Sequence, residues 1–329
     1  MHPHSPAEVL LAADVGGTYA RVALLEAGAG DAPPRLLHYA KYVSAEFAGL
    51  APILADFLAM ARISVRHAVI ASAGFAMDDG TVIAANLPWP LPARQLQDQL
   101  RLQLLWLIND FEALAHAAAR LDPAQATHLG GPAQPAPGPV LVLGPGTGLG
   151  AALWVPTAGA PRVLASEAGQ AALATATPLE AALLEHMRQG RSHVPAEHAI
   201  SGPGLLHLYR ALGALRGTPV PLETPAALTA AAAAGDPLAR ETLEIFCGLL
   251  GSVAGDLALV SGATSVCLAG GLLPHLGPLL DRERIVARFL DKGPMRQRLA
   301  QVCIRLLEHG QLGVTGAAYW YREQGTHPS

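Results

Sequence analysis

The sequence has few of the residues that the common nucleotide-binding motifs require. Only two lysines, Lys41 and Lys292, occur among its 329 residues, and neither follows a glycine. A Walker-type loop ends in Gly-Lys-Ser/Thr, so this motif is excluded. The glycine-rich segments contain no G-x-G-x-x-G fingerprint, and the His-Arg-Asp and Asp-Phe-Gly motifs of protein kinases are absent. Any phosphate group must therefore be held by another kind of loop.

Cysteines, metal-binding patterns and basic runs are also scarce. The three cysteines, Cys247, Cys267 and Cys303, lie far apart among apolar residues, and the 13 histidines form no His-Glu-x-x-His pattern. We therefore expect buried free thiols and no structural metal. The formal net charge is −4 and no segment is rich in lysine or arginine, which argues against nucleic-acid binding.

No segment predicts export or membrane insertion. The N-terminus, MHPHSPAEV, lacks a positively charged start followed by an apolar stretch, so no signal peptide is expected. The most apolar region, residues 245–273, is interrupted by Asp256 and several glycines, which favours a buried helix and strand over a membrane span. With 51% hydrophobic residues, the chain is expected to be a globular cytoplasmic protein with one large domain or two similar ones.

The segment LAADVGGTYARVALL, residues 11–25, predicts a β-hairpin with a chemically distinctive tip. Gly16 and Gly17 allow close approach of a ligand, and their amides can point together at an anion. A carboxylate beside such a tip would repel phosphate, so Asp14 indicates that a divalent cation lies between them. The alternative is an ordinary turn in which Asp14 is only a cap.

A second segment, LGPGTGLGAAL at residues 143–153, repeats the first. In an ungapped alignment Gly17-Thr18 matches Gly146-Thr147, and Ala23-Leu24 matches Ala152-Leu153. Two such units half a chain apart predict a duplicated architecture with one phosphate loop in each half. The site would then lie between two lobes.

Strand and helix patterns alternate through the first half of the chain, which favours an α/β fold. The predicted strands after the first hairpin are 35–44, 67–74, 104–108, 265–271 and 302–307, and the predicted helices include 47–63, one ending at Gln103, 111–119, 226–234, 282–290 and 312–322. The Gly- and Pro-rich stretch 130–139 is interpreted as a loop.

The strand at 104–108 delivers Asn109 and Asp110 at its C-terminal end, where ligands bind in α/β sheets. Asp110 could accept the proton of an attacking hydroxyl, or it could cap the helix predicted to begin at Phe111. Glu167 and Glu197 lie near glycines in sequence that is otherwise short of charge. They could accept hydrogen bonds from sugar hydroxyls or be solvated loop residues.

Six motifs together resemble the bacterial glucokinases, in the zinc-free group of the sugar kinase, actin and chaperone ATPase superfamily. They are DVGGTYAR at Asp14, IND at Ile108, LGPGTGLG at Leu143, SEAGQ at Ser166, AEHAISGPGL at Ala196 and LAGGLLP at Leu268. The resemblance implies a two-lobed, duplicated actin-like ATPase (ribonuclease H-like) fold with a nucleotide and sugar cleft between the lobes. Residues 1–120 would form the small lobe and 121–329 the large one, and the C-terminal helix could pack back on the small lobe.

The resemblance also implies roles for individual residues. ATP and Mg²⁺ would be the cofactors, Asp14 would bind Mg²⁺ through water, and Asp110 would be the catalytic base for the 6-hydroxyl of D-glucose or a related hexose. The residues around the nucleotide would be Ala13, Asp14, Val15, Gly16, Gly17, Thr18, Gly146, Thr147, Gly148, Gly270 and Gly271. Those around the sugar would be Asn109, Asp110, Glu167, Gln170 and Glu197. A homodimer is expected from the family.

Two departures from the family pattern concern the sugar site. Members of the family usually read S-E-G-G-H, whereas this chain has Ala168 for the first glycine and Gln170 for the histidine. Ala168 adds a methyl group where glycine freedom could be needed, and Gln170 cannot become cationic. Three functions follow as hypotheses: a glucokinase, a related sugar- or nucleotide-binding protein with little activity, and a sugar-responsive transcription factor. The third would need a DNA-binding segment, and with the first strand expected by about Val9 we expect no room for one at the N-terminus.

Overall fold

The computed structural model describes residues 9–28, 32–76, 81–83, 87, 89–308 and 310–324. The N-terminal residues 1–8, in which no signal peptide is expected, lie outside this part. By their internal contacts, the residues divide into two units. Unit 1 comprises Met1–Arg120, Thr157–Val163 and Gly310–Ser329, and unit 2 comprises Leu121–Pro156 and Leu164–His309.

The first 120 residues form a five-stranded sheet, a small three-stranded sheet and three helices. The elements are β1 (Val9–Val15), β2 (Tyr19–Glu26), β3 (Arg35–Val43), α1 (Leu50–Ala61), β4 (His67–Ser72), β5 (Phe75–Ala76), β6 (Thr81–Ile83), β7 (Leu91–Pro92), α2 (Ala93–Gln99), β8 (Leu104–Asn109) and α3 (Asp110–Ala118). The larger sheet has the order β3-β2-β1-β4-β8. β1, β2 and β3 pair antiparallel, whereas β1, β4 and β8 run parallel.

Residues 121–309 supply a second sheet and most of the helices. The elements are β9 (Ala126–Gly130), β10 (Val140–Pro145), β11 (Leu149–Val155), β12 (Arg162–Ser166), α4 (Pro178–Arg188), α5 (Gly202–Arg216), α6 (Pro225–Ala233), α7 (Pro237–Ser261), β13 (Ser265–Leu268), α8 (Leu273–Leu276), α9 (Arg282–Phe289), α10 (Arg296–Leu299) and β14 (Cys303–Leu307). The sheet order is β12-β11-β10-β13-β14-β9. Apart from β9, this repeats the order of the first sheet: a hairpin strand pair is followed by two parallel strands.

The last helix, α11 (Leu312–Gln324), returns to unit 1 and packs on α3 and on the sheet. Its apolar face belongs to a buried cluster with residues of β1, β4 and α3. Polar contacts join the two helices, because the Trp320 indole donates to Glu112 at 2.9 Å and the Glu323 carboxylate lies 3.0 Å from Nδ1 of the buried His116.

Helix α7 is long and apolar enough to cross a membrane by length and composition, and 72% of its most apolar stretch is buried inside the fold. Its partner α9 approaches very closely, because a Cβ added at Gly251 or Gly255 would lie 2.2 Å from the Ile285 carbonyl oxygen or 2.6 Å from that of Phe289. Such contact is typical of a core helix. This agrees with the prediction of a buried helix and strand in residues 245–273.

Two predicted boundaries are wrong for identifiable reasons. The helix predicted to end at Gln103 stops at Gln99, since Arg101 adopts φ +54° and the Gln103 amide donates to the Arg66 carbonyl oxygen at 2.7 Å. The loop predicted at 130–139 is preceded by strand β9, which pairs antiparallel with β14 and ends at Gly130. The three cysteines are buried and free, as predicted, and burial raises the pKa of the Cys247 and Cys267 thiols to about 12.

Candidate nucleotide and sugar site

The first hairpin tip, residues 16–18, is fixed through its carbonyl groups. The Gly16 amide donates to the Tyr19 carbonyl at 2.9 Å, the Ser44 hydroxyl donates to the Gly16 carbonyl at 3.0 Å, and the Ser44 amide donates to the Thr18 carbonyl at 3.0 Å. Within the described part of the chain, the amides of Gly17 and Thr18 donate to no protein acceptor. The tip therefore presents N–H groups, as an anion-binding loop does.

Asp14 lies directly behind this tip and is paired with Arg21. The two residues are opposite each other in the β1–β2 register, and an Arg21 guanidinium nitrogen, Nη1, lies 3.3 Å from Asp14 Oδ2. Asp14 is only 5% exposed. Burial raises the pKa of the nearby Tyr39, an effect that Arg21 opposes and the Asp14 carboxylate reinforces. Arg21 is not among the site residues predicted from the sequence, although it belongs to the DVGGTYAR motif and faces Asp14 in the hairpin register.

Asn109 and Asp110 lie at the same end of the unit 1 sheet as the first tip. Val15, Ser72 and Asn109 are successive neighbours across the parallel strands β1, β4 and β8, and the Ser72 hydroxyl donates to the Val15 carbonyl at 3.1 Å. The structure therefore brings Asp14 to Thr18 together with Asn109 and Asp110, as expected for a ligand site at the carboxyl end of a sheet.

The cap of α3 is Asn109, and the alternative of Asp110 as cap is wrong. The Asn109 side-chain oxygen accepts from the amides of Phe111 at 2.9 Å and Glu112 at 3.2 Å. Asp110 is the first helical residue, and its Oδ1 accepts from the Phe111 amide at 2.9 Å. The carboxylate thus stands at the positive end of a helix dipole, which favours its ionised form. The ionised form is the one that a general base needs.

The second tip, residues 146–148, has the same design in unit 2. The Gly146 amide donates to the Gly148 carbonyl at 2.8 Å, and the Gly202 amide at the start of α5 donates to the Gly146 carbonyl at 2.8 Å. The amides of Thr147 and Gly148 have no protein acceptor among the described residues. A Cβ added at Gly146 would meet nothing within 4 Å, so the backbone there is open to a ligand.

The loop after β13 packs beside the second tip. The Leu272 amide donates to the Pro145 carbonyl at 3.1 Å, and Gly270 adopts φ +106° with a hypothetical Cβ only 2.5 Å from that same carbonyl oxygen. A side chain at this position is excluded by both conformation and space. Gly271 is exposed, with open space around its Cα. Gly270 and Gly271 therefore lie next to the second tip, and their contact with a nucleotide stays a prediction.

Glu197 connects the second tip to the turn that contains Gln170. The Gln170 side-chain amide donates to Glu197 Oε1 at 2.7 Å, and Glu197 Oε2 lies 3.4 Å from the Leu149 amide and 2.8 Å from a Cβ added at Gly148. The His193 ring contacts the Gln170 carbonyl at 2.8 Å. Glu167, at the start of the same turn, is exposed and makes no side-chain hydrogen bond in the described residues.

The expected strain at Ala168 is absent. Among the described residues other than glycine, positive φ angles occur only at Arg62, Arg101 and Gln189. Ala168 begins a short 3-10 turn that ends at Gln170, a conformation open to any residue. The missing glycine therefore leaves the local backbone unstrained.

His198 follows Glu197 and is held neutral by its surroundings. Its ring stacks on that of His207 at a centroid distance of 3.9 Å, and an Arg191 guanidinium nitrogen lies 3.3 Å from its Nε2. Burial, with added repulsion from His207 and Arg191, lowers its pKa from 6.5 to about 4, although Glu197 acts in the opposite direction. The His198 ring beside the candidate sugar carboxylate is thus uncharged at neutral pH.

Each tip, taken by itself, fits an anion. Each has two amides without a protein acceptor among the described residues, and beside the first tip Asp14 supplies a hard oxygen of the kind Mg²⁺ prefers. The described residues contain no group of three or more His, Cys, Asp or Glu side chains that could hold a metal by themselves. The individual roles of the site residues stay predictions.

Comparison with known proteins identifies the family. The profile of the Glucokinase family matches residues 11–324. A glucokinase-like protein of Xylella fastidiosa is 54% identical over 314 residues, covering 94% of both chains. The crystal structure of a glucokinase from an Antarctic psychrotroph has a TM-score of 0.83 at 36% identity and covers 95% of this chain and 98% of its own.

A ROK family glucokinase from Streptomyces griseus, solved with glucose and AMPPNP, has a TM-score of 0.64 at 22% identity and covers 94% of this chain and 98% of its own. At that identity the likeness concerns the fold, which is the two-lobed actin-like ATPase fold. The repeated sheet order, the two glycine-threonine tips and the family match lead to one conclusion: the chain belongs to the glucokinase family of sugar kinases.

Proposed function

We propose that this chain is an ATP-dependent glucokinase that phosphorylates D-glucose at the 6-hydroxyl to give glucose 6-phosphate, the first step of glycolysis. The observation that carries the proposal is the placement of Asp110 and the Asp14–Thr18 tip at one end of the unit 1 sheet. In phosphoryl transfer the protein mainly positions the reactants and stabilises charge, so a base beside a phosphate loop is the essential juxtaposition.

In this proposal each group of residues has a defined task. Asp110 accepts the proton of the sugar 6-hydroxyl, and Asn109, Glu167, Gln170 and Glu197 bind the other hydroxyls. The amides of the two tips bind the phosphates, while Gly270 and Gly271 contact the adenosine. Mg²⁺, oriented by Asp14 through water, would neutralise the charge that develops on the phosphates. The enzyme would act in the cytoplasm as a homodimer.

The test is a coupled assay of purified protein with Mg-ATP and a panel of hexoses. We expect glucose to be turned over, and Asp110→Asn to lower kcat by about 10²–10⁴, the usual contribution of a general base. Asparagine preserves the acceptor for the Phe111 amide, so the helix start should remain intact. An absence of turnover above the Asp110→Asn level with every sugar would contradict the enzyme proposal. Preference for another hexose would contradict only the glucose assignment.

A second candidate function, a sugar- or nucleotide-binding protein with weak transfer activity, is favoured by the contact between Gln170 and Glu197. The Gln170 side-chain amide donates to the Glu197 carboxylate at 2.7 Å, so each side chain already has one of its hydrogen-bonding groups satisfied by the other. Calorimetry with glucose and with AMPPNP distinguishes the two functions, since binding without turnover supports the second. Gln170→His then shows whether the family's histidine restores turnover, and Gln170→Leu, which cannot hydrogen-bond, serves as its control.

A further inference from the structure

Strand β1 has two different faces, and Asp14 lies on the face that meets the C-terminal helix. Leu11, Ala13 and Val15 belong to one buried cluster, which includes α1. Leu10 and Ala12 belong to the other, which includes Val314, Ala317 and Ala318 of α11. Alternation along a strand places Asp14 on the same face as Leu10 and Ala12. A carboxylate therefore occupies the third position of an otherwise apolar strip under α11.

At this point the helix has a glycine. A Cβ added at Gly313 would lie 2.6 Å from Asp14 Cγ, 2.7 Å from Oδ2 and 2.8 Å from Cβ. Rotating the carboxylate would not relieve this contact, because the position of the Asp14 Cβ is set by the backbone of β1. Any side chain at residue 313 would therefore move the strand end or the helix, and with it the carboxylate.

Arg21 contacts the same carboxylate, with its Nη1 3.3 Å from Oδ2. Asp14 thus meets both a guanidinium group and the first turn of α11, where the helix dipole also favours a negative charge. We infer that Gly313 is a positioning residue for Asp14 and that the first turn of α11 belongs to the metal–nucleotide site. This inference rests on the proposed function, in which Asp14 orients Mg²⁺ through water.

Gly316, one turn further along α11, provides the contrast. A Cβ at Gly316 would lie 1.8 Å from the Ala113 carbonyl oxygen of α3, and the described contacts there are between helix backbones. Gly316 therefore has a packing role. A side chain at Gly316 should lower stability, whereas one at Gly313 should change how the protein responds to metal.

The test compares Gly313→Ala with Gly159→Ala, an exposed site where an added Cβ meets nothing within 4 Å. Calorimetry measures binding of AMPPNP with and without Mg²⁺. We expect Gly313→Ala to weaken Mg-AMPPNP binding about tenfold, the equivalent of one charge-assisted contact, with little change for AMPPNP alone. Gly159→Ala should match the wild type under both conditions. Equal weakening with and without Mg²⁺, or no change, would overturn the positioning role alone.

A measurement on the wild type covers the case in which Gly313→Ala does not fold. Hydrogen exchange of the amides of residues 312–315 should slow more with Mg-AMPPNP than with AMPPNP alone, and Asp14→Asn should remove the difference. Identical exchange with and without Mg²⁺ would overturn the inference. A wild type that binds no nucleotide under any condition would overturn the proposed function as well.

Discussion

Both hairpins end in a tip with two amides that have no protein acceptor among the described residues, and the two hairpins differ in the residues behind that tip. Counted from the paired ends of their strands, Asp14 and Arg21 in the first correspond to Gly144 and Gly150 in the second. The first hairpin places an ion pair behind its tip, whereas the second has room for another backbone: a Cβ at Gly144 would lie 2.4 Å from the Ala269 carbonyl oxygen. The first hairpin therefore carries charge behind its tip, whereas the second has close backbone packing there.

The register also explains a small error in the predicted repeat. The ungapped alignment matches Ala23 with Ala152. The register confirms this match for the return strands, since the Ala12–Ala23 and Val142–Ala152 pairs lie equally far from the last pair before each tip. Four residues, 16–19, separate the last paired residues of the first hairpin, whereas three, 146–148, separate those of the second, so the incoming strands are offset by one. The counterpart of Asp14 is therefore Gly144 rather than Leu143.

The strongest way to break the comparison is to remove the charge from the first hairpin. In Asp14→Asn we expect kcat for Mg-ATP-dependent phosphorylation to fall by about a hundredfold or more, the scale of losing one electrostatic contact at a reacting centre. The reason is that the amide keeps the shape and loses the charge that attracts Mg²⁺. The measurement is a steady-state assay over a range of Mg²⁺ concentrations.

Asp56→Asn is the matched control, because Asp56 is an exposed carboxylate of α1 that accepts from the Tyr42 hydroxyl at 3.0 Å. It should keep wild-type kinetics. An Asp14→Asn enzyme with the wild-type response to Mg²⁺ would show that the charge behind the first tip is structural only.

A substitution behind the tip of the second hairpin should lower the stability of the protein, in contrast to the loss of activity expected for the first. Gly144→Ala places a methyl group against the Ala269 carbonyl, which lies in backbone that cannot rotate away. We expect the free energy of unfolding to fall by about 1–3 kcal/mol, as for overpacking elsewhere. Urea denaturation followed by circular dichroism measures the change, and Gly159→Ala corrects for the effect of alanine on the unfolded chain. Equal stability of the two variants would mean that β10 and the loop after β13 can separate at no cost.

Local sequence patterns predicted much of the fold and the positions along the chain of the main candidate site residues. The two tips follow from glycine-threonine pairs between apolar runs, and the position of Asp110 follows from a buried strand that ends in polar residues. Each of these signals is contained within about ten consecutive residues, a length over which hydrophobic periodicity and turn residues are informative. The assignment of roles to the two lobes stays a prediction.

What the sequence could not predict depends on residues that are distant along the chain. Gly313 meets Asp14, and Gln170 meets Glu197, which is 27 positions further along the chain. No periodicity encodes such pairs, because a glycine in a helix or a glutamine in a turn has the same local pattern whatever it faces. Strand β9 was missed for a related reason, since its half-exposed residues pair with β14 and lack the apolar run of a buried strand.

The smallest expected effect is on the pH dependence of stability, and it arises beside the second hairpin, where His198 follows Glu197. In the folded protein the pKa of His198 is lowered to about 4, whereas in the unfolded chain it is near 6.5. Between these values the unfolded chain binds more protons, so the free energy of unfolding decreases as the pH falls from 6.5 towards 4.

His198→Gln removes this titration and should flatten the pH dependence of stability in that window. Urea denaturation at a series of pH values measures the slope, and His275→Gln, at an exposed histidine, should retain the wild-type slope. An unchanged slope in His198→Gln would show that the acid sensitivity arises elsewhere, and that the histidine pair beside Glu197 contributes to packing without linking the second hairpin to pH.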